Sequence, residues 1–140
     1  ELLDFEPSSK GTDIAQALQY FANAQKRHCT AFLISDFVEP GSIDKPLLIA
    51  GNRHEINAIQ IYDRHDTELP NIGLVKFHDA ETDGDLWVDT SLASVRKAYA
   101  QAWMDNQNEL KQVLAHTGVN HVSVRTDEDY VKTLMHLFKC

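Results

Sequence analysis

The chain has 140 residues, of which 43% are hydrophobic and 24% are charged, a composition typical of one globular domain with its own core. Its net charge of −8 and the absence of a basic cluster argue against nucleic-acid binding. Two cysteines without metal-ligand spacing, no apolar run of membrane-spanning length and no signal peptide favour a cytoplasmic protein without membrane contact in this segment. The chain opens on Glu1 and not on Met, so we expect it to be a fragment of a longer protein. The lack of a targeting segment in the fragment is compatible with a membrane-anchored parent.

The first part of the chain alternates helical and extended patterns. After an irregular leader over residues 1–10, apolar residues recur at helical spacing across 13–27, and either Thr12 or Asp13 can cap this helix. The continuous apolar run at 30–36 predicts a central strand that is buried on both faces and ends on Asp36.

A second helix and strand follow the same order. Residues 43–53 predict a short helix with Leu47, Leu48 and Ala50 on its buried side, and residues 57–62 predict a strand that ends on Asp63. Strand, helix and strand of these lengths form a right-handed βαβ unit, so the two strands are expected to be parallel neighbours.

After residue 63 the sequence pattern changes and predicts a hairpin, a long helix, and a final strand and helix. Asp83-Gly84 between the alternating runs 72–78 and 85–89 predicts a β-hairpin. Thr90-Ser91 is expected to cap a helix over 92–116, and Gly118 to end it. A strand at 119–125 precedes a helix whose first turn is the acidic segment 126–129. The predicted core includes both tryptophans and the apolar stripe of the last helix: Trp87, Trp103, Tyr130, Val131, Leu134, Met135 and Phe138.

The candidate site is formed by Thr12 and Asp36. The carboxyl ends of strands are where open α/β sheets bind ligands, and Asp36 follows such an end while Thr12 precedes a helix. Their oxygens suit Mg²⁺, which prefers hard oxygen ligands and retains several waters. The structural alternative makes Asp36 a turn or cap residue only. The seven histidines have no zinc-ligand spacing and are expected at the surface or at helix ends.

An ordered series of motifs points to a family. It consists of G-T-D-I-x-x-A-L, F-L-I-S-D-F, R-H-E-I-N-A-I-Q-I-Y-D, E-L-P-N-I-G-L-V, D-A-E-T-D-G-D-L-W-V-D-T and T-D-E-D-Y-V-K-T-L. Over residues 11–138 the series resembles the von Willebrand factor A-like half of a large, functionally uncharacterised bacterial family. Members of that family are often encoded beside MoxR-type AAA+ ATPases.

The resemblance implies a fold, a metal site and a partner. The fold is α/β, a partial doubly wound, Rossmann-like sheet with an inserted β-hairpin, and the site is a metal-ion-dependent adhesion site. Thr12 matches the threonine element of that site and Asp36 its final aspartate, whereas the Asp-x-Ser-x-Ser element is absent. The chain is therefore expected to be the C-terminal portion of one such domain, with its first strands upstream and with Mg²⁺ absent or weakly bound. The function that the resemblance implies is a protein-interaction module that serves a MoxR-type ATPase.

Two further expectations follow from the missing strand and from the acidic residues. In the doubly wound order the first strand pairs with strand 30–36, so without it that edge is open and a homodimer is expected to cover it. The enzymatic alternative is a metal-dependent phosphatase or nuclease that combines Asp36 and Asp63 with Asp66 and Asp127.

Overall fold

A computed structural model describes residues 12–38, 40–78 and 84–137. The predicted leader at 1–10, Gly11, Thr82-Asp83 of the hairpin turn and Phe138 lie outside the described residues. The elements in chain order are α1 (Ile14–Ala24), β1 (Thr30–Ser35), a 3-10 turn (Pro40–Ile43), α2 (Asp44–Gly51), β2 (Glu55–Tyr62), α3 (Arg64–Thr67), β3 (Leu74–His78), β4 (Asp85–Asp89), α4 (Ala93–Thr117), β5 (Asn120–Arg125) and α5 (Tyr130–Leu137).

The fold is mixed α/β, with a parallel three-stranded sheet and a separate antiparallel pair. The parallel sheet has the order β1-β2-β5, and its register aligns Ile34 with Ile59 and Ile59 with Val122. The predicted βαβ unit is thereby confirmed, since α2 connects two parallel neighbours. The predicted hairpin is confirmed as the antiparallel pair of β3 and β4.

One face of the parallel sheet carries the core. Leu18 of α1, Leu47 of α2 and Leu110 of α4 are buried together, and half-buried Leu33 of β1 packs against them. Burial of such side chains contributes about 1.5–3 kcal/mol each, which makes this layer the main source of stability.

The opposite face of β1 differs from its predicted burial on both faces. Phe32 is 46% exposed and Ile34 is 59% exposed. Helix α5 does not cover them, because it packs against β5, which lies at the opposite edge of the sheet from β1. Among the described residues, β1 pairs with β2 alone, so it is an edge strand and not a central one.

Helix boundaries confirm some predicted signals and correct others. Asp13 caps α1, because its Oδ1 accepts a hydrogen bond from Gln16 N at 2.8 Å. Gly118 ends α4 in the left-handed conformation at φ 67°. The predicted Thr90-Ser91 cap is wrong: Leu92 precedes α4 and provides no side-chain cap, whereas Thr90 is buried at the base of the hairpin.

Several burial predictions are also wrong. Trp87 is 60% exposed, and Leu48 on α2 is exposed too. Helix α5 begins after the acidic segment 126–129, and its predicted core stripe is largely on the surface, with Tyr130 59% exposed. His54 departs from the surface role predicted for histidines, since it is buried beside Phe21 with 4.8 Å between ring centroids. Trp103 is half-buried against Tyr62.

The base of the hairpin depends on the Thr90 hydroxyl, and substitution of this residue tests that dependence. Thr90 Oγ1 donates to Gly73 O at 2.7 Å and accepts from Ile72 N at 3.2 Å. We expect Thr90→Val to lower the free energy of unfolding by about 1–3 kcal/mol in urea denaturation, because it leaves the Ile72 N–H without its partner.

The matched variant is Thr90→Ser, which keeps the hydroxyl. We expect the Ile72 amide to stay protected from hydrogen exchange in Thr90→Ser and to lose protection in Thr90→Val. Equal exchange of this amide in the two variants would contradict the assigned role.

Candidate functional site

The carboxyl ends of the three parallel strands form one edge of the sheet, called here the carboxyl edge. Asp36 follows β1, Asp63 follows β2 and Thr126 follows β5. The prediction that Asp36 and Asp63 follow neighbouring strands is therefore confirmed. In parallel sheets this edge collects the loops that contact ligands, so its polar side chains are the first candidates for function.

A buried amide ties the three strands together just below this edge. Gln60 of β2 is 2% exposed, and its Nε2 donates to the backbone oxygen of Asp36 at 3.3 Å. Its Oε1 accepts from Ser123 Oγ of β5 at 2.9 Å. Because a buried amide without partners is destabilising by about 1–3 kcal/mol, these bonds fix where the backbone of Asp36 lies.

The residue after Asp36 has an unusual backbone conformation. Phe37 has φ 54°, in the left-handed region that residues with a Cβ rarely adopt, and its side chain is 1% exposed in the core. Asn106 of α4 donates its Nδ2 hydrogens to the backbone oxygens of Phe37 and Val38. Strain of this kind, about 1–3 kcal/mol, persists only where the surroundings determine the conformation. The loop that carries Asp36 is therefore held from the core and from α4.

The Asp36 carboxylate itself is exposed at the tip of this loop. Ser35 Oγ donates to Asp36 Oδ1 at 3.3 Å and accepts from Phe37 N at 3.1 Å. Such a carboxylate retains free lone pairs for a hard cation. Its acceptor chemistry fits Mg²⁺.

Thr12 is exposed immediately before the Asp13 cap of α1. Its hydroxyl forms no hydrogen bond within the described part of the chain, and it shares none with Asp36. Helix α1 contacts the 3-10 turn that follows β1, which brings the helix toward the same region of the fold. The convergence of Thr12 and Asp36 on one cation stays a prediction.

Asp63 connects the end of β2 to the end of β5 through a hydrogen bond with Thr126. Its carboxylate accepts from His65 N at 2.9 Å, from Thr126 Oγ1 at 2.7 Å and from His65 Nδ1 at 2.8 Å. These hydrogen bonds, led by the His65 backbone N–H, lower the pKa of Asp63 to about 2. Asp66 completes a capping box by accepting from Asp63 N at 2.6 Å.

The other acidic residue of the enzymatic alternative is paired as well. Asp127 bonds with Arg125, which also contacts Glu128 Oε1 at 2.7 Å. Over residues 12–38, 40–78 and 84–137, no group of three or more histidine, cysteine or acidic side chains is arranged to hold a metal ion. A hydrolytic site at this edge stays a prediction. In the same described ranges, no helix has the length and apolar character needed to cross a membrane.

Sequence patterns alone did not identify three residues that position Asp36. Gln60 carried a signal, since a polar residue inside an apolar strand requires a partner when it is buried. Phe37 and Asn106 carried none, because a left-handed aromatic residue and a long-range amide contact have no local pattern.

The lowered pKa of Asp63 leads to a prediction on pH dependence. Its folded pKa of about 2 lies below the unfolded value near 3.8, so its stabilising effect is present above pH 4 and is lost as the pH falls toward 2. We expect Thr126→Val to raise the pKa of Asp63, measured by NMR titration of its carboxyl carbon, whereas Thr126→Ser leaves it low. An Asp63 pKa that is unchanged in Thr126→Val would contradict this role of the hydroxyl.

Comparison with known proteins gives relatives without an assigned activity. The chain is 32% identical over 127 residues to uncharacterized protein MAV169 of Mycobacterium avium, a match that covers 91% of this chain and 75% of the relative. It is 30% identical over 131 residues to uncharacterized protein Rv1480 of Mycobacterium tuberculosis and to uncharacterized protein Mb1516 of Mycobacterium bovis. In these two cases the match covers 92% of this chain but spans only 40% of the relative. No solved structure matches the chain.

The family comparison extends over most of the described fold. The profile of the family described as "Protein of unknown function DUF58" matches residues 1–109, which include α1, the strands β1 to β4 and the greater part of α4. The matched region contains Asp36 together with the residues that hold its loop. The chain therefore belongs to the DUF58 family.

Proposed function

We propose that this chain is a protein-interaction module of the von Willebrand A-like type, with part of a metal-ion-dependent adhesion site at its carboxyl edge. The observation that carries the proposal is the exposed carboxylate of Asp36 on a loop held by Gln60 and Asn106. A rigidly held carboxylate with free lone pairs suits a role in binding, because it presents an oxygen ligand without a cost in loop ordering.

Thr12 and Asp36 are the proposed ligands for Mg²⁺. When bound, the ion supplies an open coordination position for a carboxylate of a partner protein. The Asp36 carboxylate and the Thr12 hydroxyl hold and orient the ion in this proposal, directly or through water. Two protein ligands give weak affinity, so we expect loading only at high metal concentration.

The proposed partner is a MoxR-type AAA+ ATPase, on the basis of the family resemblance. The Asp63 carboxylate argues for interaction over hydrolysis, since its oxygens already accept three hydrogen bonds. The cytoplasmic location stays a prediction, and the activity and partners of longer family members are part of the same proposal.

The metal proposal is tested with Mn²⁺ as a paramagnetic probe for Mg²⁺ in amide NMR spectra. We expect Mn²⁺ to broaden the signals of residues 12–13 and 35–37 selectively, and excess Mg²⁺ to reverse the effect. Asp36→Asn should abolish the broadening, because it removes the anionic ligand.

The matched control is Asp105→Asn, which replaces an exposed aspartate on α4. Over the described ranges the carboxylate of Asp105 bonds only with Gln101. It should leave the broadening of residues 35–37 intact. Broadening that persists in Asp36→Asn, or that is spread evenly over the acidic surface, would refute the proposed site.

We also propose that two copies pair through the open edge of β1. The support is the exposure of Phe32 and Ile34 on a strand with one partner in the described sheet. Antiparallel pairing around Leu33 would place Phe32 of each copy beside Ile34 of the other, a favourable cross-strand combination.

The dimer proposal predicts a change in mass for one charged substitution. We expect light scattering after size exclusion to report a dimer that Ile34→Lys converts to a monomer, since a charge at an edge strand opposes pairing. Tyr20→Lys, at an exposed position on α1, should remain dimeric. A monomer at all concentrations of the unsubstituted chain would rule the dimer out.

A further inference from the structure

The hairpin of β3 and β4 projects from a fixed base. Thr90 is 1% exposed and joins the hairpin to the start of α4, where Arg96 Nη1 donates to Ser91 O at 2.8 Å. No other helix or strand of the described chain packs closely against β3 or β4. Two-stranded sheets are marginally stable alone in water, so a hairpin that has no third strand within the described sheet is suited to gain a partner.

One face of the hairpin combines an exposed indole with charged groups. The antiparallel register places Lys76 opposite Trp87 and Leu74 opposite Asp89 on this face. Trp87 is 60% exposed and Leu74 is 64% exposed. Exposed tryptophan is one of the residue types that dominate binding energy at protein interfaces.

The two carboxylates beside Trp87 on β4 differ in their availability. Lys76 Nζ bonds with Asp85 Oδ2 at 2.6 Å and His78 Nδ1 with Asp85 Oδ1 at 3.0 Å, which occupies both oxygens. Asp89 is different. Among the described residues only its Oδ1 accepts hydrogen bonds, from the backbone N–H of Ser91 at 3.0 Å and from the Ser91 hydroxyl at 2.6 Å.

Asp89 is an anion that forms no ion pair within the described part of the chain. The bonds from Ser91, first from its hydroxyl, lower the pKa of Asp89, so this carboxyl group is ionised at neutral pH. Among the described residues, no lysine, arginine or histidine forms an ion pair with it. The face therefore presents an indole next to an unneutralised negative charge, on a chain whose net charge is −8.

We infer that the outer edge of β4 binds an extended segment of a partner protein, which adds a third strand and lays an arginine side chain across Trp87 toward Asp89. A strand added to β4 brings its side chains about 5 Å from those of β4, which is within reach of the indole. Tryptophan is the best aromatic partner for a cation, and the guanidinium group matches a carboxylate with two parallel donors. Lysine in the same place would lack the planar stacking on the indole.

This surface uses residues of β3 and β4, not the proposed metal ligands Thr12 and Asp36, and requires no metal ion. The test uses the complete chain and two matched peptides, acetyl-Thr-Val-Arg-Val-Thr-amide and the same peptide with glutamate in place of arginine. The readout is the NMR signal of the Trp87 indole N–H, assigned with Trp87→Phe, together with the amide signals of residues 85–89.

We expect saturable shifts of these signals with the arginine peptide and affinity at least about fivefold lower for the glutamate peptide. Asp89→Asn should reduce the preference for arginine by about fivefold. Trp87→Ala should abolish the peptide-induced shifts of the amide signals of residues 85–89. Tyr20→Ala removes another exposed aromatic residue, on α1, and should leave binding unchanged.

Several results would each overturn the inference. They are an absence of saturable shifts with the arginine peptide at millimolar concentration, equal affinity for the two peptides, unchanged binding in Trp87→Ala, and shifts confined to β1 or the carboxyl edge. Concentration-dependent shifts of residues 85–89 without peptide would also overturn it, because a second copy would then occupy the edge. If Trp87→Ala unfolds the hairpin, the ratio of the affinities of Asp89→Asn for the arginine and glutamate peptides still decides the test. A ratio equal to that of the unsubstituted chain would overturn the inference.

Discussion

The side-chain amide of Gln60 is the interaction on which the candidate site depends. It lies in the central strand and joins the end of β1 to β5 through one donated and one accepted hydrogen bond. Because the amide is buried, both bonds must be present for the sheet to keep this arrangement without an unsatisfied polar group. The backbone of Asp36 is consequently held by a buried side chain of the central strand, whereas the Asp36 carboxylate lies in the solvent.

The loop after β1 is held from a second direction. The left-handed Phe37 directs an aromatic side chain into the core while Asp36 stays exposed, and Asn106 bonds with the loop from α4. The local backbone strain is balanced by burial of the aromatic ring, which contributes about 1.5–3 kcal/mol. This coupling holds the Asp36 carboxylate in the solvent. The carboxylates of Asp63 and Asp127 are also partly exposed, but they are used in hydrogen bonds and ion pairs within the fold.

Sequence patterns predicted the helices and strands better than they predicted which side chains of these elements are buried. The apolar run at β1, the Asp-Gly turn signal and Gly118 depend on local chemistry, and each led to the right element. The burial of Phe32, Ile34 and Trp87 depends on which helices cover which strands, and hydrophobic character alone does not decide this. Local chemistry was also insufficient for Thr90. Its hydroxyl suits a helix cap, but in the structure it is buried and bonds with the backbone at the base of the hairpin. For the candidate site, Asp36 was identified by its place after a strand, but Gln60 and Asn106 act over long sequence separations that no local pattern records.

The central claim is that the carboxyl edge presents Thr12 and Asp36 to one cation. A crystal structure of the chain grown with Mn²⁺, with anomalous difference maps recorded for the metal, tests this most directly. The account predicts an anomalous peak about 2.1 Å from an Asp36 carboxylate oxygen or one water away from it, with the Thr12 hydroxyl in the same coordination shell. A well-occupied peak elsewhere, or hydroxyl and carboxylate oxygens on opposite sides of the molecule, would contradict it.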